Sequence, residues 1–181
     1  MTTPTVAPWT AEDLIGRLDE VLTVYASAMS YPAEIVETRR GFITAHARRD
    51  GFRAAAVLDD DGALLGFTYG YLSQPGQWWH DQVRGAMRRS VRRQWLTDCY
   101  ELVELHVRPD AQGHGIGAAL LRYLLDGAPG RTVLLSTPEV PEHASRAWRL
   151  YRRFGFEDVV RHLRFPGDDR FFAILGRTLP L

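Results

Sequence analysis

The run Val107-Arg108-Pro109-Asp110-Ala111-Gln112-Gly113-His114-Gly115-Ile116-Gly117-Ala118-Ala119-Leu120-Leu121 joins an apolar strand, Glu101 to Val107, to an apolar helix through a glycine-rich loop. Loop backbone without side chains approaches a ligand closely and turns its N–H groups inward. The helix start adds unpaired donors and a partial positive charge. The chemistry offered is capture of a phosphate or pyrophosphate. A Walker loop needs Lys followed by Ser or Thr after its second glycine. Here Gly117 precedes two alanines, and the chain contains no lysine. A dinucleotide fingerprint matches Gly113, Gly115 and Ala118, but that motif belongs in a tight turn straight off a strand that opens a series of βαβ units. Arg108 to Gln112 separate strand from glycine here, and the motif comes late in the chain.

The strand before the loop carries the second set of candidates. Alternation places Glu101, Val103, Leu105 and Val107 on one face, with Leu102, Glu104 and His106 on the other. Two carboxylates and a histidine in a largely apolar strand are costly to bury without a purpose. The bland alternatives are that Glu101 frays into solvent, Glu104 pairs with an arginine, and His106 is a satisfied core histidine. The functional one is a general base, a task suited to imidazoles because they titrate near neutrality. Cys99, just before the strand, reads as a small buried residue rather than a nucleophile.

Gln112-x-x-Gly115-x-Gly117 resembles motif A of the GNAT acetyltransferases, Q/R-x-x-G-x-G/A, which holds the pyrophosphate of acetyl-CoA. Ala147-Trp148-Arg149-Leu150-Tyr151-Arg152-Arg153-Phe154-Gly155-Phe156 resembles the family's A-x-x-L-Y-x-x-x-G-F helix end. The likeness is sharp from Glu101 to Phe156 and diffuse elsewhere. It implies an N-acetyltransferase that passes the acetyl group of acetyl-CoA to a primary amine, on a small molecule or a peptide, by direct attack in a ternary complex. An idle acyl-CoA-binding sensor is the alternative, and a metal is not implied.

Acetyl transfer requires the amine to lose a proton, the carbonyl oxygen to be stabilised, and the departing thiolate to receive a proton or hydrogen bond. By resemblance, the backbone of Leu105, His106 and Val107 pairs with the pantetheine arm as an added strand would. Gln112, Gly113, His114, Gly115, Ile116, Gly117 and Ala118 hold the pyrophosphate, and Tyr151 serves the leaving thiolate. Family members place a base or water-holding carboxylate at positions equivalent to Glu101 or Glu104. Glu101, Glu104 and His106 therefore all stay candidates. Helical spacing puts Ala147, Leu150, Tyr151 and Phe154 on one face. Many members carry asparagine seven residues before the tyrosine; this chain has Ala144, and Ser145 is expected to replace its hydrogen bonds to the cofactor.

A length of 181 residues suits one domain spanning 1–181. Apolar residues make up 45% and aromatics 11%, a globular composition. Formal net charge is zero, which removes a bulk electrostatic reason to bind nucleic acid or membrane. The single cysteine excludes a disulfide framework. Met1 to Pro8 lacks the basic start and apolar run of a signal peptide, so a cytoplasmic protein is expected. Homodimers are common in the family, and no residue here specifies one.

Periodicity predicts the elements that hold these residues. One helix runs from a cap at Thr10 through Leu14, Ile15, Leu18, Val21, Leu22 and Tyr25. A second begins near Pro32 and buries Ile35, Val36, Phe42 and Ile43. Strands follow at 52–58 and 63–72 around the turn Asp59-Asp60-Asp61-Gly62. A helix at 79–95 carries Val83, Met87, Val91 and Trp95 on one stripe, and Arg84, Arg88, Arg89, Arg92 and Arg93 opposite. It reads as a helical insertion at 78–96. Its arginines suit a solvated face, a cofactor 3′-phosphate or an acceptor site; nucleic acid fits least, because the neutral chain provides no basic field. Trp78, Trp79, Tyr69 and Tyr71 suit either a pocket or the core. Then come strand 99–107, helix 115–126, strand 131–137, helix 142–153 and strands 156–165 and 170–178. The order resembles that of the α/β (α+β) GNAT acyl-CoA N-acyltransferase fold, which implies a mixed central sheet flanked by helices, without an evident first strand.

Overall fold

A computed structural model describes residues 4–181, so Met1 to Thr3 of the N-terminal stretch lie outside it. In chain order the elements are β1 (Ala7–Trp9), α1 (Ala11–Gly16), α2 (Leu18–Met29), α3 (Ala33–His46), β2 (Arg53–Leu58), β3 (Leu64–Ser73), α4 (Trp78–Ala86), α5 (Arg89–Trp95), β4 (Cys99–Val107), α6 (Ile116–Asp126), β5 (Thr132–Pro138), α7 (Arg146–Arg153), β6 (Glu157–Leu163) and β7 (Phe172–Thr178). The strands form a seven-stranded mixed sheet in the order β1-β2-β3-β4-β5-β7-β6. β4 and β5 run parallel, whereas β1–β2, β2–β3, β5–β7 and β6–β7 are antiparallel. This is the mixed sheet flanked by helices that the element order predicts. A short β1 supplies the first strand that periodicity did not reveal. Three residues are too few to show a period, and Pro8 is tolerated because β1 is an edge strand.

Contacts divide the chain into two units. The first holds the described residues up to Tyr71, Leu102–Ala128 and Leu181. Thr10 and Asp13 form a reciprocal capping box at α1. The predicted single helix breaks at Arg17, whose guanidinium bonds Glu20 and the Gly62 carbonyl. Leu14, Leu18, Val21, Leu22 and Tyr25 are buried there, while Ile15 is exposed. In α3 only Ile43 of the four expected apolar residues is fully buried, and Ile35 and Phe42 are exposed. The inward stripe instead runs Val36, Arg39, Ile43, His46, one position and about 100° round from Ile35 and Phe42.

The second unit holds Leu72–Glu101 and Pro129–Pro180. The predicted helix 79–95 is two helices, because Met87 and Arg88 are both extended. Its apolar stripe survives the break: Val83, Met87 and Trp95 are buried with Trp79, Leu134 and Ile174. The predicted helix 142–153 is a 3₁₀ turn at Glu142–Ala144 followed by α7. Ala147 proves exposed and Trp148 buried, its Nε1 donating to the Pro138 carbonyl at 3.0 Å. The larger ring takes the inward position one residue on.

Candidate active site

The glycine loop is built to leave donors open. After a 3₁₀ turn at Pro109–Ala111, Gln112 Nε2 donates to the Val107 carbonyl at 3.1 Å and ties the loop to the strand end. Gly113 and Gly115 hold φ of 83° and 82°, values that favour glycine. Gly115 caps α6, which is anchored through buried Ile116, Leu120, Leu121, Leu124 and Leu125. Among the described residues the N–H groups of Gly113, His114 and Gly115 donate no hydrogen bond, and Ile116, Gly117 and Ala118 open the helix where no intrahelical acceptor exists. These donors fit a pyrophosphate. Gly66 on β3 lies so close that a Cβ would meet the His106 carbonyl at 2.9 Å and the Ile116 and Val107 side chains at 3.2 Å.

On β4, Glu104 and His106 share a side, as the alternation predicts, and they touch. His106 Nε2 lies 2.5 Å from Glu104 Oε2, and Arg39 from α3 donates to Glu104 Oε1. Glu104 is buried. Burial alone would raise its pKa; the Arg39 charge and the His106 hydrogen bond outweigh that and bring it down to about 2. Glu104 is thus a fixed anion at neutral pH. The Tyr25 ring meets His106 edge-on at 5.2 Å, and Arg39 lies 5.5 Å from that ring's centroid. Behind them His46 Nδ1 and the Tyr69 hydroxyl are 2.9 Å apart, and burial lowers the His46 pKa to about 4.

Strict alternation fails at one step. Val103 packs with the cluster containing Phe67, Tyr69 and Tyr71, whereas Leu105 and Val107 pack with Ile116 and Leu120. Nearby, the Glu104 carbonyl accepts the Thr68 hydroxyl at 2.8 Å. A single-residue offset in the pleat reverses the side a residue faces.

In the second unit Glu101 does not fray into solvent. It is buried, at the register Glu101↔Leu134, one of three parallel pairs that start at Cys99↔Thr132. Tyr151 is buried with its ring 5.7 Å from Phe156. Ser145, expected near the cofactor, uses its hydroxyl oxygen to cap α7 through Trp148 N at 3.2 Å. Burial pushes the Cys99 thiol up to about 12, which makes it a poor nucleophile. Trp79 is buried and donates to Ser136, whereas Trp78 is exposed against Phe165. Tyr69 and Tyr71 belong to the first unit's core. Among the described residues no group of His, Cys, Asp and Glu is placed to hold a metal ion, and no helix is long and apolar enough to cross a membrane.

The structure therefore brings Glu104 and His106 together and adds Arg39, Tyr25 and His46, which sequence reasoning missed, and Tyr69, which it left between a pocket and the core. One signal was present: Arg39 interrupts the spacing between Val36 and Ile43 on α3.

A strand feeding a glycine-rich loop at a helix start, in a mixed sheet of this order, is the arrangement that the acetyltransferase resemblance implies. The sequence profile of the acetyltransferase (GNAT) family matches residues 18–156. A GCN5-like protein acetyltransferase of Mycobacterium tuberculosis is 43% identical, over 93% of this chain and 95% of that protein. Ribosomal-protein-S18-alanine N-acetyltransferase from Escherichia coli superimposes with a TM-score of 0.64 at 18% identity, over 99% of this chain and 96% of that one. The PaiA N-acetyltransferase from Thermoplasma acidophilum, in complex with coenzyme A, gives 0.61 at 14% identity, over 98% and 100%. The chain belongs to the GNAT acetyltransferase family, and it is an acetyl-CoA-dependent N-acetyltransferase.

Proposed function

We propose that the protein acetylates a primary amine of a polypeptide by direct attack in a ternary complex, with His106 as the general base. The observation that carries this reading is the bond between His106 Nε2 and Glu104 Oε2, with Arg39 on the other carboxylate oxygen. A carboxylate held near pKa 2 is a weak proton acceptor at neutral pH, but it fixes the ring and stabilises the imidazolium that forms. With Nε2–H directed to Glu104, Nδ1 carries the lone pair that takes the amine proton. Acetyl-CoA supplies the acyl group as a thioester. The N–H groups of Gly113 to Ala118 would hold its pyrophosphate, the backbone of Leu105 to Val107 its pantetheine arm, and Ser145 would add a hydroxyl donor. Tyr151 Oη would donate the proton that the departing sulfur needs, a role carried by the family resemblance. The polypeptide acceptor is supported by the relative at 43% identity, which is named a protein acetyltransferase.

The reading is tested by incubating the protein with acetyl-CoA and a panel of lysine-containing and free-N-terminal peptides, following CoA release and product mass. An acetylated amine formed in step with CoA release is expected. CoA release without a modified peptide across the panel would overturn it.

A further inference from the structure

The predicted amphipathic helix, broken into α4 and α5, forms an open cavity of about 490 Å³ in the second unit. Arg84, Arg89, Arg92 and Arg93 line it, with His80 and Thr97. Arg89, Arg92 and Arg93 stand at i, i+3 and i+4 on α5 and so share a face. Arg92 Nε donates to the Arg84 carbonyl at 2.9 Å, which ties the two helices together and leaves the outer guanidinium nitrogens for a ligand. Among the described residues none of the four forms an ion pair. In the same unit Arg152, Arg161 and Arg170 are matched to carboxylates, while Arg131, Arg146, Arg149 and Arg153 form no ion pair among the described residues; what sets the four apart is that they line one cavity. His80 is only 3% exposed; the Ser73 hydroxyl holds its Nδ1 at 2.9 Å, and Nε2 makes no hydrogen bond among the described residues. Four guanidinium groups around one cavity repel each other unless an anion enters. The chain is neutral overall, so this is a local feature and not bulk basicity.

We infer that this cavity binds a carboxylate-rich segment of the acceptor polypeptide, so that the enzyme favours polypeptides rich in aspartate and glutamate. The inference rests on the polypeptide reading of the acceptor. Guanidinium forks match carboxylates two bonds at a time. Their spread over two helices, around a cavity open to solvent, suits an extended chain with several acids better than one compact ion.

The test measures binding apart from turnover. A fluorescein-labelled peptide with one lysine between glutamates is titrated into the enzyme, beside the same peptide with glutamines. The acidic peptide should bind about tenfold or more tightly, and lose that advantage in about 0.5 M salt. Arg89→Glu with Arg93→Glu should abolish the preference, while thermal stabilisation by CoA and by dephospho-CoA stays as in the wild type. Equal affinity for both peptides, or a preference that survives the double substitution, overturns the inference. So does a loss confined to CoA and sparing dephospho-CoA, which would give the arginines to the 3′-phosphate. Binding of inorganic tripolyphosphate without binding of the acidic peptide also overturns it. Selective binding without acetylation would sink the proposed activity and leave this surface standing.

Discussion

Arg39 and Arg89 carry the same guanidinium in opposite settings. In the first unit Arg39 faces buried Glu104, which also holds His106, and every charge in that group has a counterpart. In the second, Arg89 lines an open cavity with three more arginines, and among the described residues no carboxylate is paired to any of them. A buried charge without a partner is expensive, whereas a partly solvated one is tolerated until a ligand arrives. The first arrangement therefore holds its own residues in register; the second is complementary to something outside the chain.

The largest expected effect separates the two directly. Arg39→Met should destabilise the fold by about 3–5 kcal/mol, because Glu104 would stay buried without its cation. Denaturant unfolding measures this, and a loss of under about 1 kcal/mol would show the pair to be dispensable.

Acid should act on the first group through His46 and Glu104. His46 is neutral in the folded protein with its pKa lowered from 6.5 to about 4, so its contribution is complete above the unfolded value and fades as pH falls from 6.5 towards 4. Glu104, lowered from 4.5 to about 2, keeps its contribution above 4.5 and loses it as pH falls towards 2. The His46 part is roughly 3 kcal/mol at most. Melting temperatures of the wild type and His46→Gln should converge as pH drops from 7 to 4; parallel curves would contradict the assignment.

Gly115→Glu should abolish the cofactor-induced shift, which amounts to about 2.7 kcal/mol at a hundredfold excess over Kd. A carboxylate and a lost φ of 82° both oppose the anion cradle there. A retained shift would remove the loop from the cofactor site. The smallest effect is the other half of the comparison: Arg89→Met should change stability by no more than about 0.5 kcal/mol.

Elements that follow local chemistry were readable in advance. The glycine loop joins β4 to α6 as the strand-loop-helix pattern predicts, and Glu104 and His106 share a side because alternation has a short period. What escaped was non-local or depended on one residue of phase. Arg39 reaches Glu104 from 65 positions away. Trp148 displaced Ala147 from the buried side of α7, and Val103 slipped against Leu105. The arginine face of residues 84–93 was visible as a charge run, but the cavity exists only because Met87 and Arg88 are extended and let α4 and α5 turn apart.

The division of labour between His106 and Glu104 is tested most directly by the pH dependence of kcat/KM for one peptide amine in the wild type, Glu104→Gln and His106→Gln. The account predicts that His106→Gln lowers the rate by about a hundredfold or more and flattens the low-pH limb. Glu104→Gln should lower the rate yet keep the limb, because the proton is taken by the ring and not by the carboxylate. A limb that survives in His106→Gln and vanishes in Glu104→Gln would make Glu104 the base and contradict the account.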